Sequence, residues 1–205
     1  MPSVRSDQLR TIMHAAATLT AVRFAEDHLL GGEAFVFDWK SGPYMAFRRE
    51  MAAKLEISED QVKLIGSAKL GFSLNKDHLL RRFRRDCDLD LVVVRSELFD
   101  SAVLELRLRA RELELAGEDD RRRLRRSREN VFSGYLRPDQ LPLSISLMRD
   151  WFPRLAGPFA SEPARSHPVR AWLFKSWEHA KLCYVEHHER IQPVLCQLLG
   201  IQEGT

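Results

Sequence analysis

The chain has 205 residues, of which 44% are hydrophobic and 30% are charged, and its formal net charge is +3. This composition is typical of a soluble globular protein. The sequence excludes a membrane-spanning helix, since no run approaches the ~18 apolar residues that a span needs. The first residues lack a signal-peptide layout, and Cys87, Cys183 and Cys196 contain no Cys-x-x-Cys pair. We therefore expect a protein of the reducing cytoplasm.

The first third of the chain predicts two helices followed by a strand. Residues 6–30 carry apolar side chains at helical spacing and stop at a glycine pair, which predicts an amphipathic helix. Residues 33–40 alternate aromatic and polar side chains, which fits either a short strand or an aromatic loop. Residues 44–55 predict a second helix, and residues 61–65 predict the first central strand.

The most informative residues follow that strand and recur at the head of the next one. Gly66 permits a tight turn from strand to helix, and Ser67 can cap the helix while its hydroxyl and nearby N–H groups face an anion. Asp88 and Asp90 open a second apolar strand and project from the same face of it. Two neighbouring carboxylates repel each other unless a cation lies between them. Together these residues predict a site for a metal-bound triphosphate.

A second register is open for the acidic pair, because Asp86-Cys87-Asp88 repeats the same spacing. Leu89 and Leu91 flank Asp90 and mark it as a strand residue, and the strand that they belong to is apolar enough to be buried on both faces. We therefore favour Asp88 with Asp90, which makes Asp86 an outer acid.

Residues 66–74, 88–94 and 98–100 resemble the nucleotidyltransferase superfamily with the DNA polymerase β-like fold, in particular its small bacterial members. The resemblance implies an α+β fold with a small mixed β-sheet, flanking helices and a C-terminal helix. It further implies one nucleotidyltransferase-like domain over residues 1–205, with a core at about 43–175. The helices at 6–30 and 175–199 would pack on this core.

The resemblance also implies an activity. Gly66 and Ser67 would contact the nucleotide phosphates, with Lys69 and Ser73 as further nucleotide contacts, and the Asp pair would hold Mg²⁺ or Mn²⁺. The reaction would transfer a nucleoside monophosphate from an NTP to a hydroxyl of a protein, an RNA or a small molecule. The alternative is an inactive nucleotide-binding or interaction protein of a toxin–antitoxin or phage-defence system. A partner protein or a homo-oligomer fits either interpretation.

The family's third carboxylate, on a later strand, has no obvious equivalent. The predicted late strand, residues 169–174, contains no acid, and Arg170 and Lys175 stand where one is expected. Glu178 on the following helix is the candidate third acid. The acids that precede the strand, in less regular surroundings, are Asp139, Asp150 and Glu162.

Two basic clusters could contact RNA or phosphates. The cluster at 121–128 belongs to a helix with acids at its start, so we interpret it as a solvated face. The second cluster lies in the insert between the two motifs, which are Gly66-Ser67 and the pair Asp88 and Asp90, and it is therefore closer to the predicted site. It could be a solvated surface or a groove for nucleic acid or phosphate. Its members are Arg81, Arg82, Arg84 and Arg85.

The rest of the chain predicts helices separated by a region rich in proline and glycine. Helices are expected at 96–116, 118–131 and 144–154, and a closing helix at 175–199 that Pro193 should kink or divide. His179, Cys183 and His187 form a stripe on the closing helix, which we interpret as packed or surface residues rather than zinc ligands. Four aromatic residues are equally open as partners for a nucleobase: Phe72, Phe83, Tyr135 and Trp172.

Overall fold

The computed structural model describes residues 4–201, which form an α+β protein around one mixed four-stranded sheet. The helices are α1 (Val4–Thr18), α2 (Ala21–Phe24), α3 (Ser41–Leu55), α4 (Gly66–Leu70), α5 (Ser96–Leu108), α6 (Ala110–Leu115), α7 (Glu118–Phe132) and α8 (Trp177–Leu199). The strands are β1 (Val62–Ile65), β2 (Leu89–Val94), β3 (Tyr135–Leu136) and β4 (Val169–Phe174). The expected α+β class with a small mixed sheet and a C-terminal helix is confirmed. No helix within residues 4–201 is long and apolar enough to cross a membrane.

The sheet has the strand order β1-β2-β4-β3. The central strands β2 and β4 are parallel, while β1 and β3 pair antiparallel at the two edges. Asp90 lies opposite Ile65 on one side and opposite Arg170 on the other. Side chains alternate across a strand, so Asp90, Arg170 and Trp172 share one face of the sheet.

The two faces of the sheet bury different layers. On one face, Leu64, Leu91 and Leu173 are fully buried in the main core, which α3 and α5 help to close. On the other face, Val92 and Phe174 are fully buried beneath α8. Helix α8 therefore covers the face that carries Asp90.

Polar side chains of α8 contact carbonyl oxygens at the end of α1 and just beyond it. His188 on α8 is buried, and its Nε2 lies 2.7 Å from the carbonyl oxygen of Ala16. Gln192 donates to the carbonyl oxygens of Ala17 and Leu19 at 3.1 and 2.7 Å. Pro193 lies inside α8, which nevertheless runs as one helix from Trp177 to Leu199.

Several boundaries differ from the sequence-based expectation for local reasons. The helix expected at 6–30 divides near Thr20, whose side chain accepts a hydrogen bond from the Arg23 N–H and starts α2. The stretch 33–40 forms a 3₁₀ turn at Phe35–Phe37 rather than a strand. The helix expected at 96–116 divides at Arg109, whose guanidinium donates to the Ser144 carbonyl at 2.6 Å.

The region 133–168 has less regular structure than was expected. Strand β3 has only two residues, too few for an alternating pattern to be visible in the sequence. In place of the helix expected at 144–154, a π-helical turn at Leu147–Trp151 is followed by a 3₁₀ turn at Phe152–Ala156.

Candidate functional site

The turn after β1 brings the backbone of Gly66 against the carboxylate of Asp90. Gly66 has φ +68°, in the left-handed region that glycine adopts without strain. A Cβ at this position would lie 3.1 Å from Asp90 Oδ2, so a side chain here would meet the carboxylate. Helix α4 begins at Gly66 itself, which places Ser67 in its first turn and makes Ile65 the cap residue, contrary to the expected role of Ser67 as a cap.

The acidic pair lies at the mouth of the sheet in two different electrostatic settings. Burial, reinforced by the charge of Asp88, raises the pKa of Asp90 from 3.8 to about 6, against the opposing effects of Arg170 and Arg137. Asp88 is one-quarter exposed, and its Oδ2 pairs with Arg170 Nη1 at 3.1 Å. The pair therefore comprises one largely buried carboxylate and one that already has a cationic partner.

These residues open into a cleft of 630 Å³. Its lining includes the predicted residues Gly66, Ser67, Ser73, Arg81, Asp88 and Asp90, together with Asp86. The cleft thus brings together most of the predicted site. Two carboxylates at one strand mouth suit a hard divalent cation, because Mg²⁺ commonly binds through one or two carboxylates together with substrate phosphates.

Lys69 lies away from the cleft, although the sequence placed it with the nucleotide contacts. Its side chain is 2% exposed; Nζ donates to the Gly32 carbonyl and lies 5.1 Å from the centre of the Tyr44 ring. Burial lowers the pKa of Lys69 from 10.5 to about 8. Ser67 and Lys69 are two positions apart, about 200° around a helix, and this spacing already indicates opposite sides.

The insert between the two motifs contributes to the cleft through only part of its length. Ser73 lines the cleft, and its Oγ accepts a hydrogen bond from the Asn75 N–H at 3.1 Å. Arg81 also lines the cleft. The remaining arginines of the cluster are exposed and lie outside it: Arg82, Arg84 and Arg85.

A third carboxylate does not face the Asp pair from the late strand. Arg170 takes that position, directly opposite Asp90. Glu178 is exposed in the first turn of α8, outside the cleft lining, and a hydrogen bond with Ser176 lowers its pKa. The other candidate acids pair with arginines: Asp139 with Arg137 at 3.0 Å, Asp150 with Arg149 at 2.7 Å, and Glu162 near Arg165 at 3.8 Å. Among them, Asp139 lies near enough to Asp90 for its charge to help raise the Asp90 pKa.

The structure adds cleft residues that sequence reasoning missed. Arg137 follows β3, and Tyr184 and Arg190 belong to α8. The Tyr184 hydroxyl is buried and has no hydrogen-bond partner among the described residues, and burial raises the Tyr184 pKa well above its ordinary value. No local sequence pattern singles these residues out. Tyr184 and Arg190 are at the site because α8 packs across the sheet, which is a long-range feature of the fold.

The four aromatic candidates separate into two groups. Tyr135 and Trp172 line the cleft with their ring centres 5.2 Å apart, and the Arg137 guanidinium lies 4.9 Å from the centre of the Trp172 ring. Phe72 is fully buried in the layer beneath α1 and α8. Phe83 lies outside the cleft lining and packs against other rings. Only the first group is available to a ligand in the cleft.

Two residues of the His and Cys stripe of α8 contact groups of the protein itself. His179 Nδ1 lies 2.9 Å from Ser176 Oγ, and His187 Nε2 lies 3.0 Å from the Leu74 carbonyl oxygen. Cys183 lines the cleft. Over residues 4–201, no group of three or more His, Cys, Asp or Glu side chains is arranged to hold a metal ion.

The chain was also compared with known proteins. No family model, no curated protein and no solved structure matches it.

Proposed function

We propose that the chain is a nucleotidyltransferase that moves a nucleoside monophosphate from an NTP to a hydroxyl acceptor, with Mg²⁺ or Mn²⁺ as cofactor. The observation that carries the proposal is the contact between the two motifs, where the Gly66 backbone lies against the Asp90 carboxylate. Phosphates that bind at Gly66 and Ser67 would therefore lie beside Asp88 and Asp90. The sequence resemblance to the DNA polymerase β-like superfamily supports the same assignment.

The reaction forms one phosphorus–oxygen bond and breaks another without oxidation or reduction. The acceptor oxygen attacks the α-phosphorus of the NTP, the bond from that phosphorus to the β-phosphate oxygen breaks, and pyrophosphate leaves. The hydroxyl proton passes to solvent. The cleft residues Ser67 and Ser73 would orient the phosphates through their hydroxyls, and Tyr135 and Trp172 offer ring surfaces to the base.

Asp88 and Asp90 would hold the divalent cation, since they are the carboxylates that share the cleft mouth with Gly66. When bound there, the cation supplies charge stabilisation at the α-phosphate and at the departing pyrophosphate. Asp90 must be ionised to serve as a ligand, and with a pKa of about 6 it is largely ionised at neutral pH.

The acceptor is a protein, an RNA or a small molecule, and Arg81 at the edge of the cleft is the residue of the basic insert that could meet an RNA backbone. The three cysteines are free, in keeping with a reaction in the cytoplasm. A partner protein or a second copy of the chain is compatible with this function.

A second candidate function is nucleotide binding without transfer, as in a sensor or partner protein of a toxin–antitoxin or phage-defence system. The observation that favours it is Arg170, which faces Asp90 where the family's third carboxylate is expected.

Incubation with NTPs labelled at the α-phosphate tests the first proposal, with bulk tRNA, total protein and small hydroxyl compounds as acceptors. We expect Mg²⁺-dependent label on one acceptor class, lost in Asp88→Asn and Asp90→Asn. Glu178→Gln is the matched acidic control and should retain transfer, because Glu178 lies outside the cleft. Nucleotide binding by calorimetry without any transfer would support the second candidate instead. Absence of both binding and transfer would refute both functions.

A further inference from the structure

The arginine on β4 occupies the position from which a third carboxylate would have to project. Arg170 is paired in register with Asp90 and forms an ion pair with Asp88 at 3.1 Å. A two-cation site needs negative charge around both cations, and a guanidinium in this place opposes a second one. The donor set therefore fits one divalent cation and does not fit two.

The same cleft is rich in groups that bind phosphate. Arg81, Arg137, Arg170 and Arg190 all line it. Arg81 and Arg190 form no ion pair with an acid in the described part of the chain, and the Arg170 side chain is 47% exposed. A planar guanidinium matches two phosphate oxygens at once, so these arginines suit a phosphate ligand.

We propose that Arg170 takes the place of a second metal ion, so that the cleft binds a polyphosphate with a single divalent cation and with the Arg170 guanidinium on the phosphates. This inference rests on the proposed function, because it assigns the phosphate-binding mode of the same cleft. It names Arg170 as a residue that touches the substrate.

Because Arg170 forms an ion pair with Asp88, the binding of polyphosphate and the binding of the cation depend on each other. Without phosphate, Arg170 engages one oxygen of Asp88 and weakens the attraction of the acidic pair for a cation. A bound polyphosphate competes for the guanidinium and releases Asp88 for the cation. Polyphosphate and cation therefore each strengthen the binding of the other, as linkage requires.

Arg170→Gln tests this binding mode, because it should weaken the affinity for polyphosphate and strengthen the affinity for the cation. With inorganic tripolyphosphate in EDTA, calorimetry should show at least a tenfold weaker affinity than wild type. With Mn²⁺ alone, electron paramagnetic resonance should show a severalfold tighter affinity, since the competing cation is gone. Arg170→Lys keeps the charge but not the fork and should lie between the two proteins.

Equilibrium dialysis counts the bound Mn²⁺ ions, and a substitution of a second arginine serves as the control. Wild type saturated with tripolyphosphate should retain one protein-bound Mn²⁺. Arg85→Gln removes an exposed arginine outside the cleft and should match wild type in both affinities. Two Mn²⁺ per complex, no tripolyphosphate binding by wild type, or affinities that Arg170→Gln leaves unchanged or moves in the same direction would overturn the inference.

The outcomes for Arg170 and for nucleotidyl transfer are separable. Tripolyphosphate binding that follows the expected pattern, with no nucleotide transferred to any acceptor, would refute transfer and leave the role of Arg170 standing. Transfer by a complex that holds two Mn²⁺ would refute only the role of Arg170.

Discussion

Replacement of Lys69 by methionine should stabilise the protein at neutral pH. The Lys69 side chain is 2% exposed, and burial lowers its pKa from 10.5 to about 8, more than the Glu33 carboxylate can offset. One pKa unit corresponds to ~1.4 kcal/mol, so keeping this ammonium charged in the fold costs about 3 kcal/mol at pH 7. Methionine has a similar length and no charge, and the Gly32 carbonyl that loses its donor belongs to an exposed residue and can turn to water.

The pH dependence of the free energy of unfolding shows whether the buried charge of Lys69 causes this cost. Between the folded pKa of about 8 and the unfolded value of 10.5, the unfolded chain binds the proton and the folded protein does not, so wild type gains stability as the pH rises. From pH 7 to pH 9.5 this gain is about 2 kcal/mol. The advantage of Lys69→Met over wild type should therefore shrink by that amount across this interval.

Urea denaturation followed by circular dichroism at several pH values measures the difference directly. The exposed Lys40→Met is the matched control and should show no such trend relative to wild type. A destabilised Lys69→Met at pH 7, or an advantage that stays constant with pH, would refute the idea that a buried charge sets this cost.

Three further substitutions test features of the cleft and its surroundings. Gly66→Ala should cost about 1–2 kcal/mol of stability in a urea titration, because Gly66 has φ +68° and the new Cβ would lie near an Asp90 oxygen. Gly117→Ala is the control and should be nearly neutral, because no atom lies within 4 Å of its new Cβ. Gly134→Ala should cost at least about 2 kcal/mol in thermal unfolding, because its Cβ would lie 2.0 Å from a His179 ring atom. The pKa of Asp90, raised from 3.8 to about 6, makes metal-free wild type lose stability as the pH rises through that interval, so Asp90→Asn should gain up to about 3 kcal/mol at pH 7 and nothing near pH 3.5. An Asp90→Asn gain that does not vary with pH would contradict the assigned cause.

Local patterns were sufficient to predict the elements that carry the site. The late strand was expected at 169–174 and lies at Val169–Phe174, because six successive residues pack as a strand whose pattern is visible in the sequence. The approach of Gly66 to Asp90 could also be anticipated, since a turn after one strand and acids at the head of its neighbour meet at one edge of a sheet.

Long-range packing explains what could not be predicted. Tyr184 and Arg190 reach the cleft only because α8 crosses the sheet, and no local pattern encodes that crossing. Lys69 lies outside the cleft for a different reason. Its helical angle relative to Ser67 was visible, but the buried surroundings formed by Tyr44 and Gly32 depend on residues more than twenty positions earlier in the chain.

The position of α8 across the sheet has a consequence for biosynthesis. The contact between His188 and Ala16 joins residues 172 positions apart, and α8 supplies one wall of the cleft. A ribosome releases the chain from its N-terminal end, so α1 must wait until the residues of α8 have been made before it meets this partner helix. Until then the face with Phe174 and Trp172 stays open to water. The cleft is thus completed only after α8 has been made, and a nascent chain that still lacks α8 carries Gly66-Ser67 and the Asp88–Asp90 pair without the wall that α8 supplies.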